Sequence, residues 1–429
     1  MQAIQRVDSK SVSNFTFWLY LYFVVDFFLH LSARIPLYGM IRPTMILVFL
    51  ITLALIFQKD RFSPVVSDPI FKAISILIGY IILTIPLVTW PGSVLFNNLP
   101  VFIKAVVFFF FTALVLDTEK RLKLFIVVFM ACQTFRVLEP LYMNITSGYW
   151  GSATYLGGGE FAARLSGAPS DIINPNGLGF VVATIIPFWY YIGWCGRSVL
   201  SKISFLLIAP LSIYALVLTM SRGSFIAMLV VIWMILKDSK HKIFLIAGGL
   251  VVLLVIWANL SDLHKERYLS LVDSSTSMSS TAKGRIEGMK DELGVALERP
   301  IIGHGLGTSR EAKSHAGIGW LVSHNLYIEI LLELGLSGLI IFILFLRKIY
   351  NKFMENQRLI HEYHNLNSDV FINNLNLTMK TVFWMYVVFS FNYFGLSVYY
   401  WYMFGGLTIA FSRVYFFKYT EKEEIVSGS

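Results

Sequence analysis

Charged residues are scarce in this chain: Asp, Glu, Lys and Arg make up 14% of its 429 residues, whereas hydrophobic residues make up 56% and aromatic residues 16%. A single soluble core cannot bury that much apolar surface. The composition therefore excludes an ordinary soluble domain and predicts an all-α integral membrane protein.

Cysteine is also rare, with only Cys132 and Cys195 in the chain. Both fall within or at the edge of apolar windows, on opposite sides of the predicted membrane, so no disulfide or thiol-ligated metal site is predicted. The predicted outer loops also lack an Asp-x-Asp pair and a His/Cys cluster at ligand spacing. We therefore expect no divalent metal and no other cofactor.

Apolar windows near the length needed to cross a bilayer recur along the whole chain. They predict about 12 transmembrane helices, at residues 14–32, 43–57, 70–90, 101–116, 122–139, 176–195, 203–219, 223–236, 243–260, 325–346, 377–393 and 396–417.

Lysine and arginine in the short loops predict the orientation. With the N-terminus in the cytoplasm, nineteen of them fall in inner segments, whereas the short outer segments hold only Arg34, Arg42, Arg164 and Arg222. The positive-inside rule therefore places both termini in the cytoplasm. The formal charge of +9 comes mostly from Lys and Arg in the predicted cytoplasmic loops, so it does not indicate nucleic-acid binding. The first span lacks a small-residue cleavage site, so we expect it to be retained.

The predicted organisation is one polytopic membrane domain, residues 1–429, with outer excursions at 140–175 and 261–323. The first excursion is rich in Gly, Ser and Asn, so we expect irregular structure up to Asn174-Pro175-Asn176.

The second excursion is predicted to be a partly helical loop. Ile286, Met289, Leu293 and Leu297 recur at helical spacing, and Pro300 ends the pattern. This apolar stripe is expected to rest on the membrane surface or on the transmembrane bundle. The following "IIGHGLGTSR" has alternate glycines but no βαβ context, which argues against a nucleotide-binding loop.

Three residues with useful chemistry fall on the predicted outer side. Arg222 lies in "TMSRGSF" between two spans, Arg285 opens the loop helix, and His324 opens the tenth span. A helix N-terminus disfavours the imidazolium form, so His324 is suited to accept a proton. Gly335 follows by about three turns, so it is predicted to share a face with His324 and, with Gly338, to admit a neighbouring helix.

Each of these residues also has a purely structural interpretation. His324 can cap or anchor its helix, Arg222 can extend its charged end to the membrane surface, and Arg285 can be a solvated charge. A guanidinium, however, matches phosphate oxygens in two-point contacts and keeps its charge. The functional interpretation therefore depends on the three residues acting together.

A second group of charges lies inside predicted spans, where charges usually face a polar interior or a partner. The group consists of Lys104, Arg136, Glu329, Glu333 and Arg413. We interpret Glu333 as structural, paired with Lys104 or Arg136, and Glu329 as a possible supporting group for the site.

Several motifs together resemble those of the bacterial O-antigen ligases and the related O-antigen and polysaccharide polymerases. "HNLYIEILLELGLSG" has the His-Asn, nine residues, Gly, two residues, Gly pattern of the ligases. "TMSRGSF", "AKGRIEGMKDEL" and "RPIIGHGLG" are similar to the other landmarks of the superfamily. "RLSGAPSDIINPNGLGF" resembles a segment of its polymerase-like members, so the resemblance extends from about Arg164 to Phe345.

The resemblance implies a GT-C-like glycosyltransferase of the bacterial inner membrane with a periplasmic active site. The donor would be a glycan on undecaprenyl diphosphate, and the acceptor lipid A-core in a ligase or a second lipid-linked glycan in a polymerase. Arg222 and Arg285 would bind the diphosphate and His324 would serve the acceptor. Supporting groups would be Asn325, Glu329, Arg164 and Lys283.

Direct attack by the acceptor would invert the anomeric centre without a metal. A covalent intermediate would need a carboxylate, for which Glu160, Asp171 and Glu287 are the candidates, and we consider this route less favourable. The exact His-Asn pattern favours a ligase and the Asn-Pro-Asn segment a polymerase. A transporter or flippase of lipid-linked glycan is the alternative from another class, but it would place its functional charges through mid-membrane.

Overall fold

The computed structural model describes residues 11–157, 160–259, 265, 280–320, 323–363, 366, 368–393 and 395–417. Most of these residues are helical. The first half contains α1 Asn14–Leu29, α2 Leu31–Arg34, α3 Pro36–Met40, α4 Pro43–Ile56, α5 Ser63–Val66, α6 Pro69–Thr84, α7 Pro91–Ser93, α8 Leu99–Val115 and α9 Glu119–Ser147. The second half contains α10 Pro175–Phe188, α11 Val199–Leu218, α12 Arg222–Asp238, α13 Lys242–Asn259, α14 Ser280–Glu298, α15 Ser309–His315, α16 Leu326–Glu362, α17 Val370–Phe389 and α18 Tyr400–Tyr415.

Each of the twelve predicted spans overlaps at least one of these helices. By length and composition, six helical segments of the described chain can cross a membrane: Pro69–Leu87, Pro91–Val115, Glu119–Ser147, Pro175–Trp194, Val199–Leu218 and Leu326–Glu362. The chain is therefore a mainly helical, multi-pass membrane protein. The full set of twelve crossings stays a prediction.

Local polar residues explain where many of the helices begin. Asn174, Ser198, Ser221, Asn325 and Asp369 each precede a helix and accept a hydrogen bond from a backbone N–H of its first turn. Such caps satisfy N–H groups that have no partner within the helix.

The first outer excursion is more ordered than predicted. Strands β1 Gly151–Gly157 and β2 Glu160–Leu165 pair antiparallel, with Ser152 opposite Arg164. The expectation of irregular structure throughout residues 140–175 is therefore wrong. Pairing between the two strands provides hydrogen-bond partners for the backbone N–H and C=O groups of a Gly-rich segment that has no helical periodicity.

The helices pack around an aromatic core. α16 contacts α6, α14 and α17, α12 contacts α10 and α17, and α18 contacts α8. Trp401, Tyr400 and Tyr402 at the start of α18 are completely or almost completely buried. Tyr20 Oη and Thr112 Oγ1 join α1 to α8 by a hydrogen bond of 2.6 Å.

α13 is attached to this bundle along one narrow stripe. Among residues 242–258, only Ile256 is buried, and Leu245 and Val252 are half-buried on the same face of the helix. The other apolar side chains of α13 are exposed, as expected for a helix surrounded by lipid.

α16 is interrupted at Gly335, where φ is 66° and ψ is −173°. The interruption leaves backbone groups without helical partners, and the glycine-rich loop after Pro300 supplies them. His304 N donates to Leu332 O at 2.9 Å and Gly305 N to Glu333 O at 2.8 Å. In return, Leu336 N donates to Pro300 O at 2.7 Å.

This break corrects two predictions about the glycines. His324 and Gly335 do not share a helix face, because His324 precedes the helix and Gly335 breaks it. The close approach at Gly335 is made by the loop backbone of Ile301–Ile302 instead of a neighbouring helix, and the atoms nearest to Gly338 belong to the Leu334 side chain.

We expect Gly335→Ala to destabilise the protein by about 3 kcal/mol or more, because the new Cβ would overlap the Ile301 carbonyl at a left-handed backbone position. Gly248→Ala on α13 is the matched control, since nothing lies within 4 Å of its Cβ position. Thermal unfolding in detergent should show a lower midpoint for Gly335→Ala alone. Equal midpoints would contradict the proposed packing.

Candidate functional site

The histidine of the His-Asn pair lies just outside the first turn of α16. Asn325 is the cap: its Oδ1 accepts from Tyr327 N at 2.9 Å and from Ile328 N at 3.2 Å. His324 is half-buried beside it. Because Asn325 satisfies the helix end, capping does not explain His324, whose imidazole stands at the positive end of the helix dipole.

Arg222 is the first residue of α12 and is only 9% exposed. The turn before it is tight, since Met220 adopts a φ of 50°, which is unusual for a residue with a side chain. Ser221 caps the helix and lies 2.9 Å from Ser224 through their hydroxyl oxygens. The turn predicted from "TMSRGSF" is confirmed, and it buries the arginine at a helix N-terminus.

The starts of α12 and α16 converge on the turn after α17. Leu326 N donates to Ser390 O at 2.8 Å. On the other side, the nearest neighbour of a Cβ built on Gly223 would be Asn392 Cβ, at 3.1 Å. Gly223 and Leu326, which closely follow Arg222 and His324, thus lie against the same short turn, Ser390–Asn392, although they are more than a hundred residues apart in the chain.

Glu292 of α14 makes a buried hydrogen bond with the residue before His324 and a buried ion pair with Lys313. Glu292 Oε2 accepts from Ser323 Oγ at 2.6 Å, and Glu292 Oε1 accepts from Lys313 Nζ at 2.7 Å. Position 285 lies seven residues earlier, which is nearly two full turns, and therefore lies on the Glu292 face, about 10 Å along the helix axis. The side chains of Arg285 and Lys283 lie outside the described residues, as does that of Ile286.

The orientation of α14 decides against one of the two predicted positions of the apolar stripe, the one on the bundle. Leu293 is 41% exposed and Leu297 is 63% exposed, whereas Glu292, Val295 and Ala296 are buried. Val295 and Ala296 pack with Leu332 of α16 and Ala312 of α15. The contacts of Glu292 therefore turn Leu293 and Leu297 away from the bundle, and contact of the stripe with the membrane surface stays a prediction. α14 also starts at Ser280, so Arg285 lies within its second turn instead of opening it.

We expect Glu292→Ala to lower stability by about 3–5 kcal/mol, because it leaves Lys313, which is 2% exposed, as an unpaired buried charge. Glu287→Ala, at an exposed position of the same helix, should change stability by no more than about 0.5 kcal/mol. Thermal unfolding in detergent compares them. Adding Lys313→Met to Glu292→Ala should recover most of the loss, and a further drop would refute the ion-pair explanation.

Arg164 joins the β-hairpin to the turn that precedes Arg222. Its Nε donates to Thr219 O at 2.8 Å, and its Nη2 donates to Asn176 Oδ1 at 3.1 Å. Ser224 Oγ donates to Asn176 O at 3.2 Å, so the Asn-Pro-Asn segment also contacts α12. Through these contacts Arg164 joins β2, the start of α10 and the turn before Arg222.

The two glutamates of α16 are engaged by backbone N–H groups. Glu329 Oε2 accepts from Gly395 N at 2.8 Å, and Glu333 Oε2 accepts from Gly307 N at 2.7 Å. The suggested pairing of Glu333 with Lys104 or Arg136 is wrong, because Lys104 is exposed on α8 and Arg136 binds Asp171. Each glutamate instead fixes a loop near the start of α16.

A buried charge cluster on α9 was not predicted as a unit. Arg136 Nε and Nη2 donate to Asp171 Oδ2 and Oδ1 at 2.7 and 3.0 Å, and His30 Nδ1 lies 3.4 Å from Asp171 Oδ1. Asp171 is thus held in a two-point contact by the Arg136 guanidinium, which makes it unsuitable as a nucleophile. Glu287 is exposed on α14, and the Glu160 side chain lies outside the described residues.

His304 is a second residue whose role was not predicted. It is 5% exposed, and its ring nitrogens lie 3.0 Å from Val295 O and 3.3 Å from Thr89 Oγ1. A histidine in a glycine-rich loop carries no spacing signal, so only the structure identifies this contact. Within the described ranges, no group of three or more His, Cys, Asp or Glu residues could hold a metal ion.

Comparison with known families agrees with these motifs. Residues 206–343, about a third of the chain, match the family model described as O-antigen ligase. This match confirms the resemblance to the O-antigen ligase and polymerase superfamily and supports a glycosyltransferase-like membrane enzyme of that type. No curated protein matches the chain.

Proposed function

We propose that the protein is a glycosyltransferase that moves a glycan from undecaprenyl diphosphate to lipid A-core on the periplasmic side of the inner membrane. The main support is the convergence of the starts of α12 and α16, which carry or adjoin Arg222 and His324, on the Ser390–Asn392 turn. Both residues, together with Arg285, fall within the segment that matches the O-antigen ligase family.

The proposed roles follow from the charges that develop in the reaction. The acceptor hydroxyl oxygen attacks the anomeric carbon, and the bond from that carbon to the phosphate oxygen breaks with inversion. His324 takes the hydroxyl proton, while Arg222 and Arg285 stabilise the departing diphosphate. Fixed guanidinium groups can do this without a divalent metal.

Asn325, Glu329, Arg164 and Lys283 are proposed to support the site. Asn325 sets the start of α16, Glu329 holds the Gly395–Leu396 segment, and Arg164 holds the turn before Arg222. The role of Lys283 rests on its position in α14, two residues before Arg285.

A polymerase that joins two lipid-linked repeat units is the second candidate. It is favoured by the Asn-Pro-Asn segment, which resembles polymerase-like members and contacts both Arg164 and Ser224. The donor chemistry is the same in both cases, and only the acceptor differs.

A liposome assay with purified protein tests the proposal. The donor is a defined undecaprenyl diphosphate glycan, the acceptor is either lipid A-core or a second donor molecule, and a chelator is present throughout. We expect glycan on lipid A-core. Elongated carrier-linked glycan would instead identify a polymerase, movement of donor across the bilayer without transfer a flippase, and loss of activity in chelator would refute the metal-free mechanism.

The proposed orientation predicts which positions react with a membrane-impermeant thiol reagent. In a Cys195→Ser background, which removes the exposed native cysteine, Lys290→Cys should be labelled in intact spheroplasts and Lys240→Cys should not. Both positions are exposed, so access depends only on the side of the membrane. Labelling at 240 alone would invert the topology and exclude a periplasmic site.

A further inference from the structure

Two adjoining cavities lie at the end of the bundle opposite to Arg222. One, of about 580 Å³, includes Tyr190, Trp194 and Lys240 in its lining. The other, of about 680 Å³, includes Lys123, Arg197 and Ser198. Asn374 borders both. α12 connects the two ends of the molecule, because it begins at Arg222 and ends at Asp238, which lines the first cavity.

The first cavity combines an apolar wall with a polar rim. Phe244 and Leu245 at the start of α13 face Leu377 and the aromatic ring of Trp194. The polar part of the lining includes Asp238, Ser239, Lys240, His241, Asn373 and Asn374. The start of α13 forms one wall of this cavity. Because α13 contacts the bundle along one stripe only, most of its surface is exposed to lipid in the proposed membrane position.

The carboxylates in the two cavity linings have hydrogen-bond donors, whereas two of the cations have no ion-pair partner in the described part of the chain. Tyr191 Oη donates to Asp238 at 3.2 Å, and Asp369 accepts from Phe371 N at 2.9 Å, so both carboxylates in the linings have protein donors. Lys240 and Arg197, by contrast, form no ion pair within the described part of the chain.

The sequence around the rim adds further positive charge. "KDSKHK", residues 237–242, carries three lysines and one aspartate, and the proposed topology places this turn on the cytoplasmic side. Basic pockets between transmembrane helices on that side are suited to the phosphate groups of anionic lipids.

We propose that the first cavity binds an anionic glycerophospholipid of the inner leaflet. The phosphate lies near Lys240 and His241, Arg197 of the adjoining cavity adds to the positive field, and an acyl chain lies along Phe244, Leu245 and Leu377. The site is separate from the proposed catalytic site and does not depend on the reaction assigned there, although its leaflet rests on the proposed topology.

The test measures the lipid that stays bound after extraction from vesicles. Protein is reconstituted into vesicles of equal parts phosphatidylglycerol and phosphatidylethanolamine and extracted in mild detergent, and bound lipid is measured by mass spectrometry. We expect enrichment of phosphatidylglycerol. Lys240→Gln should lower the bound amount about fivefold, and Lys240→Gln with Arg197→Gln about 25-fold, as expected for one charge each.

Two further variants distinguish binding in this cavity from nonspecific electrostatic attraction of anionic lipid to the protein surface. Lys348→Gln removes one exposed lysine of α16 outside both cavities and should leave retention unchanged. Leu245→Trp fills the apolar wall without changing charge and should lower retention. The proposal fails if Lys348→Gln and Lys240→Gln act equally, if both lipids are retained equally, or if soluble glycerol phosphate displaces phosphatidylglycerol, which would indicate a site for free anions.

Discussion

His324→Ala is expected to lower the rate of glycan transfer by about 10²–10⁴, the usual contribution of a general base. Donor binding should be nearly unchanged, because the proposed diphosphate contacts come from Arg222 and Arg285. Folding should also persist, since Asn325, not His324, caps α16. Single-turnover transfer and donor affinity, measured on the same reconstituted sample, separate the two effects.

His315→Ala is the matched control for this variant. His315 ends α15 in the same outer loop and is exposed, so its removal should leave the transfer rate at the wild-type value. Wild-type turnover in His324→Ala would exclude His324 as the base and restore an anchoring role. A loss of donor binding as large as the loss of rate would point to a binding role instead.

Arg222→Lys and Arg285→Lys are each expected to lower transfer by about 10²–10³, as found when one donor to a developing charge is removed. Lysine keeps the positive charge but loses the planar fork that contacts two phosphate oxygens. Arg222, buried at the start of α12, should be at least as sensitive as Arg285. Transfer rates with a saturating lipid-linked donor provide the measurement.

Arg310→Lys serves as the control because Arg310 is exposed on α15 in the same loop. It should match the wild-type rate. If Arg222→Lys and Arg285→Lys also match it, both arginines are ordinary interfacial charges and the diphosphate site lies elsewhere. If only Arg285→Lys matches it, Arg222 alone carries the proposed clamp.

Local signals in the sequence predicted the starts of the helices that carry the site. The apolar windows beginning at residues 223 and 325 predicted the starts of α12 and α16 within two residues, and the structure shows that Ser221 and Asn325 cap these starts. The positions of most other helices followed from hydrophobicity alone, because a bilayer allows few alternatives.

Contacts between distant segments account for the errors. The helical spacing of "HNLYIEILLELG" is regular, yet the loop after Pro300 satisfies an interruption at Gly335. The apolar stripe of α14 is equally regular and left two positions open, and the contacts of Glu292 with Lys313 and Ser323 turn it away from the bundle. Periodicity reports which residues share a face and not which face is covered.

The charge cluster on α9 illustrates the same limit. Arg136 was recognised as a costly charge within a span, but its partner Asp171 lies in the first excursion and His30 lies before α2. No local pattern connects residues that far apart. The motifs that contain Arg222 and His324 were both identified in the sequence. Neither motif predicts that the starts of α12 and α16 converge on the Ser390–Asn392 turn.

The interruption at Gly335 has a consequence for how the chain enters the membrane. The carbonyls of Leu332, Glu333 and Leu334 accept from His304 N, Gly305 N and Tyr80 Oη, respectively. In hydrocarbon, each of these carbonyls would cost several kcal/mol if left without a donor. All three donors precede α16 in the chain and therefore leave the ribosome before it. The hydrogen-bond donors for the interrupted part of α16 are therefore synthesised before α16 itself.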